Sequence, residues 1–310
     1  MTTIFTESGK KQGYGHLSRC CALYDESISR GYDTRLIVNT TEPLPDMSRN
    51  IIAANWLDSS VLMPLLADTE RAIIDSYLAD ATVYRTIAAH VSVAVYIDDC
   101  MRIDYPKGLV VNPSLYGDKL PYPQKDGVTY VGGEKYVIVR PEFQDLPPPA
   151  RTGKRNHILL TMGGSDVRNL TPVILARLTE AFPAAHKHVV VGAGFENQNE
   201  IHAAADKHTT LYHALTALQM RQLMQRADVA VTAAGQTIYE LMSCGVPMIP
   251  IKVIENQQWN IEGLRGKGFR CLDAMTDDVG NVCWQEWLDT CMEYQPLSFF
   301  GQRCILQLMR

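Results

Sequence analysis

The chain alternates short apolar runs with helix-forming stretches, and it goes through this alternation twice. Runs such as Ala72–Asp75 and Ser92–Ile97 are continuously apolar or end in a single acid, the pattern of strands in a parallel sheet covered on both faces. In the first series Thr2–Thr6 and Thr34–Asn39 precede those two, and Leu109–Asn112 and Thr129–Val131 follow. Helical stretches are expected over His16 to Arg30, stopped by Gly31, and over Ala79–His90. Pro147-Pro148-Pro149, followed by Arg151-Thr-Gly-Lys-Arg, reads as a linker. The second series has strands at His157–Met162, His188–Gly192, Thr210–Tyr212, Asp228–Thr232 and Pro247–Lys252. Helices are expected near Leu170–Ala181, Glu196–Ala205, Ala217–Gln225 and Gln236–Ser243, with Gln285–Glu293 and Ser298–Leu308 closing the chain. The expected fold is α/β: two doubly wound Rossmann-type domains, 1–150 and 151–310, facing each other across a cleft. Ligands of such sheets bind beyond the carboxyl ends of the strands.

Composition removes several classes of function. The net charge of −5 falls in the first half, where 14 Lys and Arg through Ala150 meet 19 Asp and Glu, while 15 of each follow. Without a basic stripe, nucleic acid is not expected as a partner, and an acidic half is repelled by anionic lipid. No apolar run approaches the ~20 residues of a membrane span, and the start of the chain lacks the features of a secretory signal, so a cytoplasmic protein with no integral membrane segment is expected. The eight cysteines form no C-x-x-C pair and are expected to be reduced thiols rather than disulfides or zinc ligands.

Four motifs carry the candidate chemistry. Gly13-Tyr14-Gly15-His16-Leu17-Ser18-Arg19 joins the first strand to the first helix. A dinucleotide fingerprint would need Gly in place of Ser18 and an acid in place of Asn39, so NAD is not expected. His16 falls at a helix N-terminus, whose positive end disfavours imidazolium and leaves a ring able to accept a proton; a helix-capping role is the alternative. Met162-Gly163-Gly164-Ser165-Asp166 ends the first strand of the second series, a strand–turn–helix device suited to phosphate. In Gly235-Gln236-Thr237-Ile238-Tyr239-Glu240 a helix opens on small residues and carries a carboxylate one turn in, able to take both hydroxyls of a ribose. Asn256-Gln257-Gln258-Trp259-Asn260 follows a later strand and offers amides to a sugar or phosphate; a polar loop with an N-capping Asn is the alternative. Asp75-Ser76-Tyr77 and Asp98-Asp99 end strands of the first series and reach the same edge; no third metal ligand accompanies the two adjacent acids, so hydrogen-bonding or turn roles are preferred. His186 and His188 alternate at the start of a strand and are expected to be solvated.

In order along the chain these motifs, together with Val111-Asn112-Pro113, Arg140-Pro141-Glu142-Phe143 and Tyr239-Glu240-Leu241, resemble the UDP-2,4-diacetamido-2,4,6-trideoxy-β-L-altropyranose hydrolases of pseudaminic acid synthesis, in the GT-B glycosyltransferase-like superfamily. The resemblance implies a GT-B-like fold, a UDP-sugar as substrate, and no cofactor or metal. It implies that His16 is the catalytic base. It puts Gly13, Gly15, Arg19, Tyr77, Asp98, Asn256 and Gln257 at the sugar, and Gly163, Gly164, Ser165, Gly235, Gln236, Thr237 and Glu240 at the nucleotide. Gly235-Gln236-Thr237 departs from the Ser-rich residues those hydrolases often carry, a feature leaning toward transferase-like phosphate binding.

Overall fold

The computed structural model describes residues 1–9, 14–42, 44, 49–147 and 155–309. The chain divides into one unit of Met1–Pro141 with Phe299–Arg310, and a second of Glu142–Ser298. The break therefore falls a little before the boundary expected at 150, and the last helix, expected in the second domain, belongs to the first unit. The Pro-rich linker lies largely outside the described residues.

In the first unit β1 (Thr2–Glu7) leads into α1 (Gly15–Ser29), β2 (Thr34–Asn39), β3 (Ile51–Ala53), α2 (Ser59–Leu66) and β4 (Arg71–Asp75). Then come α3 (Ala81–His90), β5 (Val93–Ile97), β6 (Gly108–Asn112) and β7 (Val128–Gly132). Among the described residues the strands form one parallel sheet in the order β3-β2-β1-β4-β5-β6-β7. One face is packed by α1 through Leu17, Cys20 and Leu23, the other by Trp56, Leu62, Tyr84 and Ile87. With both faces covered, β1 is buried throughout, which explains its unbroken run of buried residues. Gly31 follows α1 at φ +77°, the left-handed residue that ends a helix. The sequence reading omitted β3, which is short and partly exposed, and α2, which contains Pro64. Asp58 nevertheless starts α2 by accepting the Ser60 N–H.

The second unit runs β8 (His157–Thr161), α4 (Leu170–Ala181), β9 (His186–Val191), α5 (Gln198–Ala204), β10 (Thr209–His213), α6 (Ala217–Arg226), β11 (Val229–Ala233), α7 (Thr237–Ser243), β12 (Met248–Lys252), α8 (Gln258–Gly266), β13 (Leu272–Asp273) and α9 (Trp284–Asp289). Its parallel sheet has the order β10-β9-β8-β11-β12-β13 among the described residues. Finally α10 (Gly301–Leu308) packs Ile305 and Leu306 into the core of the first unit beside Leu23 and Tyr136.

One expectation is corrected here. His188 is fully buried rather than solvated, because β9 is an interior strand. Its Nε2 lies 3.1 Å from His157 Nδ1 and its Nδ1 2.9 Å from the Tyr212 hydroxyl, while the His186 ring lies 4.5 Å away. Burial, with His186 and His157 beside it, lowers the His188 imidazole to about 4.

Candidate functional site

Strands β1, β4 and β5 are neighbours, and their carboxyl ends bring Glu7, Asp75 and Asp98-Asp99 to the edge where α1 begins. In the first turn of α1 stands His16, and Arg19 follows one turn on. Both are buried although polar, so each must find a partner. His16 Nδ1 lies 2.7 Å from Asp75 Oδ1. Arg19 donates from Nε to Asp75 Oδ2 at 2.5 Å and from Nη2 to Asp75 Oδ1 at 2.6 Å. The other end of the guanidinium takes Asp99, with Nη1 to Oδ1 at 2.8 Å and Nη2 to Oδ2 at 2.9 Å. Tyr77 donates its hydroxyl to Asp99 Oδ2 at 2.7 Å and sets its ring edge-on to His16, with centroids 4.5 Å apart.

The charges follow from this geometry. Burial works against the Asp75 carboxylate, but Arg19 and His16 overcome it and hold Asp75 well below the usual carboxylate range. Asp99 is likewise lowered, by Arg19 against the effect of burial. Burial, with Asp99 beside it, pushes the Tyr77 hydroxyl far up, so it stays protonated and donates. An ionised Asp75 accepts, which puts the imidazole proton on Nδ1 and leaves Nε2 as the basic nitrogen. Arg19 Nη2, 3.2 Å from Nδ1, is then a second donor to the same Asp75 oxygen. Arg19, Asp75 and Asp99 carry one positive and two negative charges, so the cluster is one proton short of neutrality while His16 is uncharged. The positive helix end and the Asp75 carboxylate thus lie on opposite sides of the charge balance around the ring.

Sequence reasoning passed over Glu7. It is fully buried, accepts from the Ser76 hydroxyl and from the Tyr77 N–H at 2.8 Å, and so shapes the turn that presents Tyr77. An acid closing an otherwise buried strand is the signal that points to it. Asp98 does not join the His16 group. Its carboxylate accepts from Tyr122 at 2.7 Å and from the N–H groups of Cys100 and Arg102, ordering the turn after β5. Gly15 opens α1 with free space where a Cβ would stand. Gly13 lies outside the described residues. Among those described, no three His, Cys, Asp or Glu side chains are grouped to hold a metal ion.

In the second unit the turn after β8 carries Gly163 at φ +78°, a conformation that favours glycine. Gly164 has an ordinary backbone, and a Cβ on it would meet nothing within 4 Å, so protein packing does not require glycine there. Ser165 is half-buried beside it. Asp166 closes the turn by accepting the N–H groups of Leu170 and Thr171 at 2.9 Å, starting α4. Gly235, Gln236 and Thr237 lead from β11 into α7, and a Cβ on Gly235 would approach only Gln257 Nε2, at 3.8 Å. Gln257 is buried and accepts the Val253 N–H at 2.9 Å. Glu240 is buried on α7, and Asn256 is exposed in the turn ahead of α8. Asn260, the last residue of the amide-bearing motif, donates to Ala234 O at 2.8 Å and accepts from Tyr239 at 2.6 Å, tying α8 to the end of β11. The structure thus brings His16, Arg19 and Tyr77 together in one unit, and the Gly235 turn and Gln257 together in the other.

The glycosyltransferase family 28 C-terminal domain matches residues 157–262, inside the second unit. An uncharacterized protein of Methanocaldococcus jannaschii is 22% identical over 275 residues, 82% of this chain and 56% of that protein. The spore coat polysaccharide biosynthesis protein SpsG of Bacillus subtilis is 28% identical over 152 residues, 48% of this chain and 44% of that one. A Helicobacter pylori protein named as pseudaminic acid cytidylyltransferase and UDP-2,4-diacetamido-2,4,6-trideoxy-β-L-altropyranose hydrolase is 23% identical over 249 residues, 79% of this chain and 43% of that one. The chain spans about half the length of the curated relatives it matches. Among solved structures, UDP-GlcNAc 2-epimerase of Neisseria meningitidis, bound to UDP-GlcNAc, superposes with TM-score 0.62 at 12% identity over 100% of this chain and 99% of that one. Acinetobacter baumannii MurG gives 0.57 at 13% identity over 100% and 91%. The fold is GT-B glycosyltransferase-like, with two Rossmann-like units built on parallel sheets. No described helix is long and apolar enough to cross a membrane.

Proposed function

We propose that the protein hydrolyses a UDP-activated diacetamido-trideoxy sugar, releasing UDP and the free sugar with inversion at the anomeric carbon. The observation that carries this reading is the His16 imidazole held through Nδ1 by the buried, ionised Asp75. In the reaction a bond forms between the oxygen of water and the anomeric carbon while the bond from that carbon to the diphosphate oxygen breaks. The water proton passes to His16 Nε2, and UDP leaves with the electron pair. Accepting that proton brings the Arg19–Asp75–Asp99 cluster to neutrality, so the surrounding charges favour the base at the moment it acts. One displacement with no covalent intermediate inverts the carbon. Backbone N–H groups of the 163–166 and 235–237 turns would receive the diphosphate, with Glu240 on the ribose. The substrate class is supported by the name of the Helicobacter pylori relative, and a role in surface-glycan synthesis by that of the Bacillus subtilis relative.

The test is incubation with a panel of UDP-amino-sugars in ¹⁸O-labelled water without acceptor, followed by NMR. Rapid UDP release, label in the sugar alone and an inverted first-formed anomer are the expected results. The match to a family 28 glycosyltransferase domain favours one alternative, an inverting glycosyltransferase using the same donor. Turnover that requires an acceptor would establish that alternative and overturn hydrolysis.

A further inference from the structure

The reaction just described draws on Asp99 only as part of the cluster's charge, although Asp99 makes three charged or polar contacts there. We propose that Asp99 is a positioning residue that locks Arg19 and Tyr77 into one unit, so that Asp75 and the His16 ring keep the orientation of a base. The inference rests on the hydrolase reading for its kinetic consequence, though not for its geometry.

The guanidinium of Arg19 is planar and presents its donors in a fixed fork. One edge of Arg19 holds both oxygens of Asp75, and the other end holds both oxygens of Asp99. Clamped at both ends, the plane cannot rotate, and Asp75 Oδ1 is held at 2.7 Å from His16 Nδ1. Asp99 Oδ2 also accepts the Tyr77 hydroxyl, and Tyr77 forms a wall of the imidazole, its ring standing at 83° to that of His16. One carboxylate therefore fixes two independent constraints on the base. Its neighbour Asp98 cannot substitute, since its oxygens are committed to Tyr122 and to backbone N–H groups. Glu7 sets the backbone of Tyr77 but does not reach the hydroxyl.

Asparagine at 99 has one acceptor oxygen for two Arg19 nitrogens and a phenol, and its amide donors face a guanidinium. Asp99→Asn is expected to lower kcat about 10- to 100-fold, the scale of misplacing a catalytic group by up to an ångström, with KM changed less than about threefold. In ¹H NMR the deshielded Nδ1–H resonance of His16 is expected to move upfield in Asp99→Asn and partly so in Tyr77→Phe, while Asp99→Glu, which keeps the charge, restores part of kcat. Tyr77→Phe keeps the ring and loses only the hydroxyl, so it reports on the clamp even if Asp99→Asn folds poorly. An unmoved resonance with kcat within twofold of wild type, or an Asp99→Glu variant no better than Asp99→Asn, would overturn the inference. Should the wild-type protein release no UDP from any donor, hydrolysis is the reading that fails, and the resonance still decides whether Asp99 positions His16.

Discussion

Replacing Asp75 by Asn changes no volume and tests the core of the proposed reaction. Asp75 accepts one hydrogen bond from His16 and two from Arg19, all at 2.7 Å or less, with no exposure to solvent. An Asn has one acceptor oxygen: in the place of Oδ1 it keeps His16 Nδ1 and Arg19 Nη2 but sets its NH2 against the Arg19 Nε–H, and in the place of Oδ2 it keeps Nε but sets its NH2 against both of the others. In either arrangement an amide donor is set against an Arg19 N–H, and the negative charge beside the imidazole is gone. The imidazole that has to accept the proton of water then has a neutral amide beside it in place of a carboxylate. Loss of that charge from beside a general base is expected to lower kcat by about 10² to 10⁴, or ~3 to 5 kcal/mol of barrier. Breaking a buried ion pair by removing one partner costs ~3–5 kcal/mol of stability, and the cost here should fall below that range because Asp99 still pairs with Arg19. The assay is UDP release under saturating donor, with UDP affinity by calorimetry and a urea melt as controls. A folded Asp75→Asn protein that binds UDP normally and turns over within a few-fold of wild type would refute the base assignment.

Three further outcomes are expected. Gly164→Ala puts a methyl into space that no protein atom occupies, on an unstrained backbone, so stability should change by less than about 1 kcal/mol while UDP affinity falls at least tenfold; unchanged affinity would remove that turn from the nucleotide site. Glu240→Ala should weaken UDP binding by ~1–3 kcal/mol if its carboxylate takes the ribose hydroxyls, as read by calorimetry. His188 is lowered from 6.5 to about 4, so between those values the unfolded chain binds a proton that the folded one refuses; stability should fall as pH drops through that window, by at most ~3 kcal/mol, and urea melts at pH 7 and 5 should show the slope disappear in His188→Phe.

The alternation of apolar runs was enough to place most of both sheets, because a parallel strand buried on two faces leaves a continuous signature, whereas β3, at a partly exposed edge, and the two-residue edge strand β13 leave none. The site was legible as residue types at strand ends, since a doubly wound sheet collects those ends on one edge. What sequence could not resolve was which of two adjacent acids turns toward His16. Successive residues point apart, so Asp98 and Asp99 take opposite roles, and only the register of the turn after β5 decides between them. The Arg19–Asp75 pairing joins residues 56 positions apart, and nothing local to either announces it. The last helix was assigned to the wrong side of the chain's division for a similar reason: α10 is amphipathic wherever it docks, and its partner is a tertiary choice.

Arg19 explains how an imidazole and two carboxylates can share a buried site at all. Three such groups without a cation would protonate an acid rather than stay ionised, since burial alone raises both carboxylates. A single guanidinium, reaching both acids through separate edges, keeps them charged, and it is the residue type whose flat fork meets two carboxylates at once. A lysine would supply the charge at one point and leave one acid unpaired. Arg19 brings one positive charge against two negative ones, so the group keeps one net negative charge beside the His16 ring that Asp75 orients. The same residues that make the cluster foldable therefore leave a net negative charge against the imidazole, and the helix that begins at Gly15 supplies both the imidazole and the cation one turn apart.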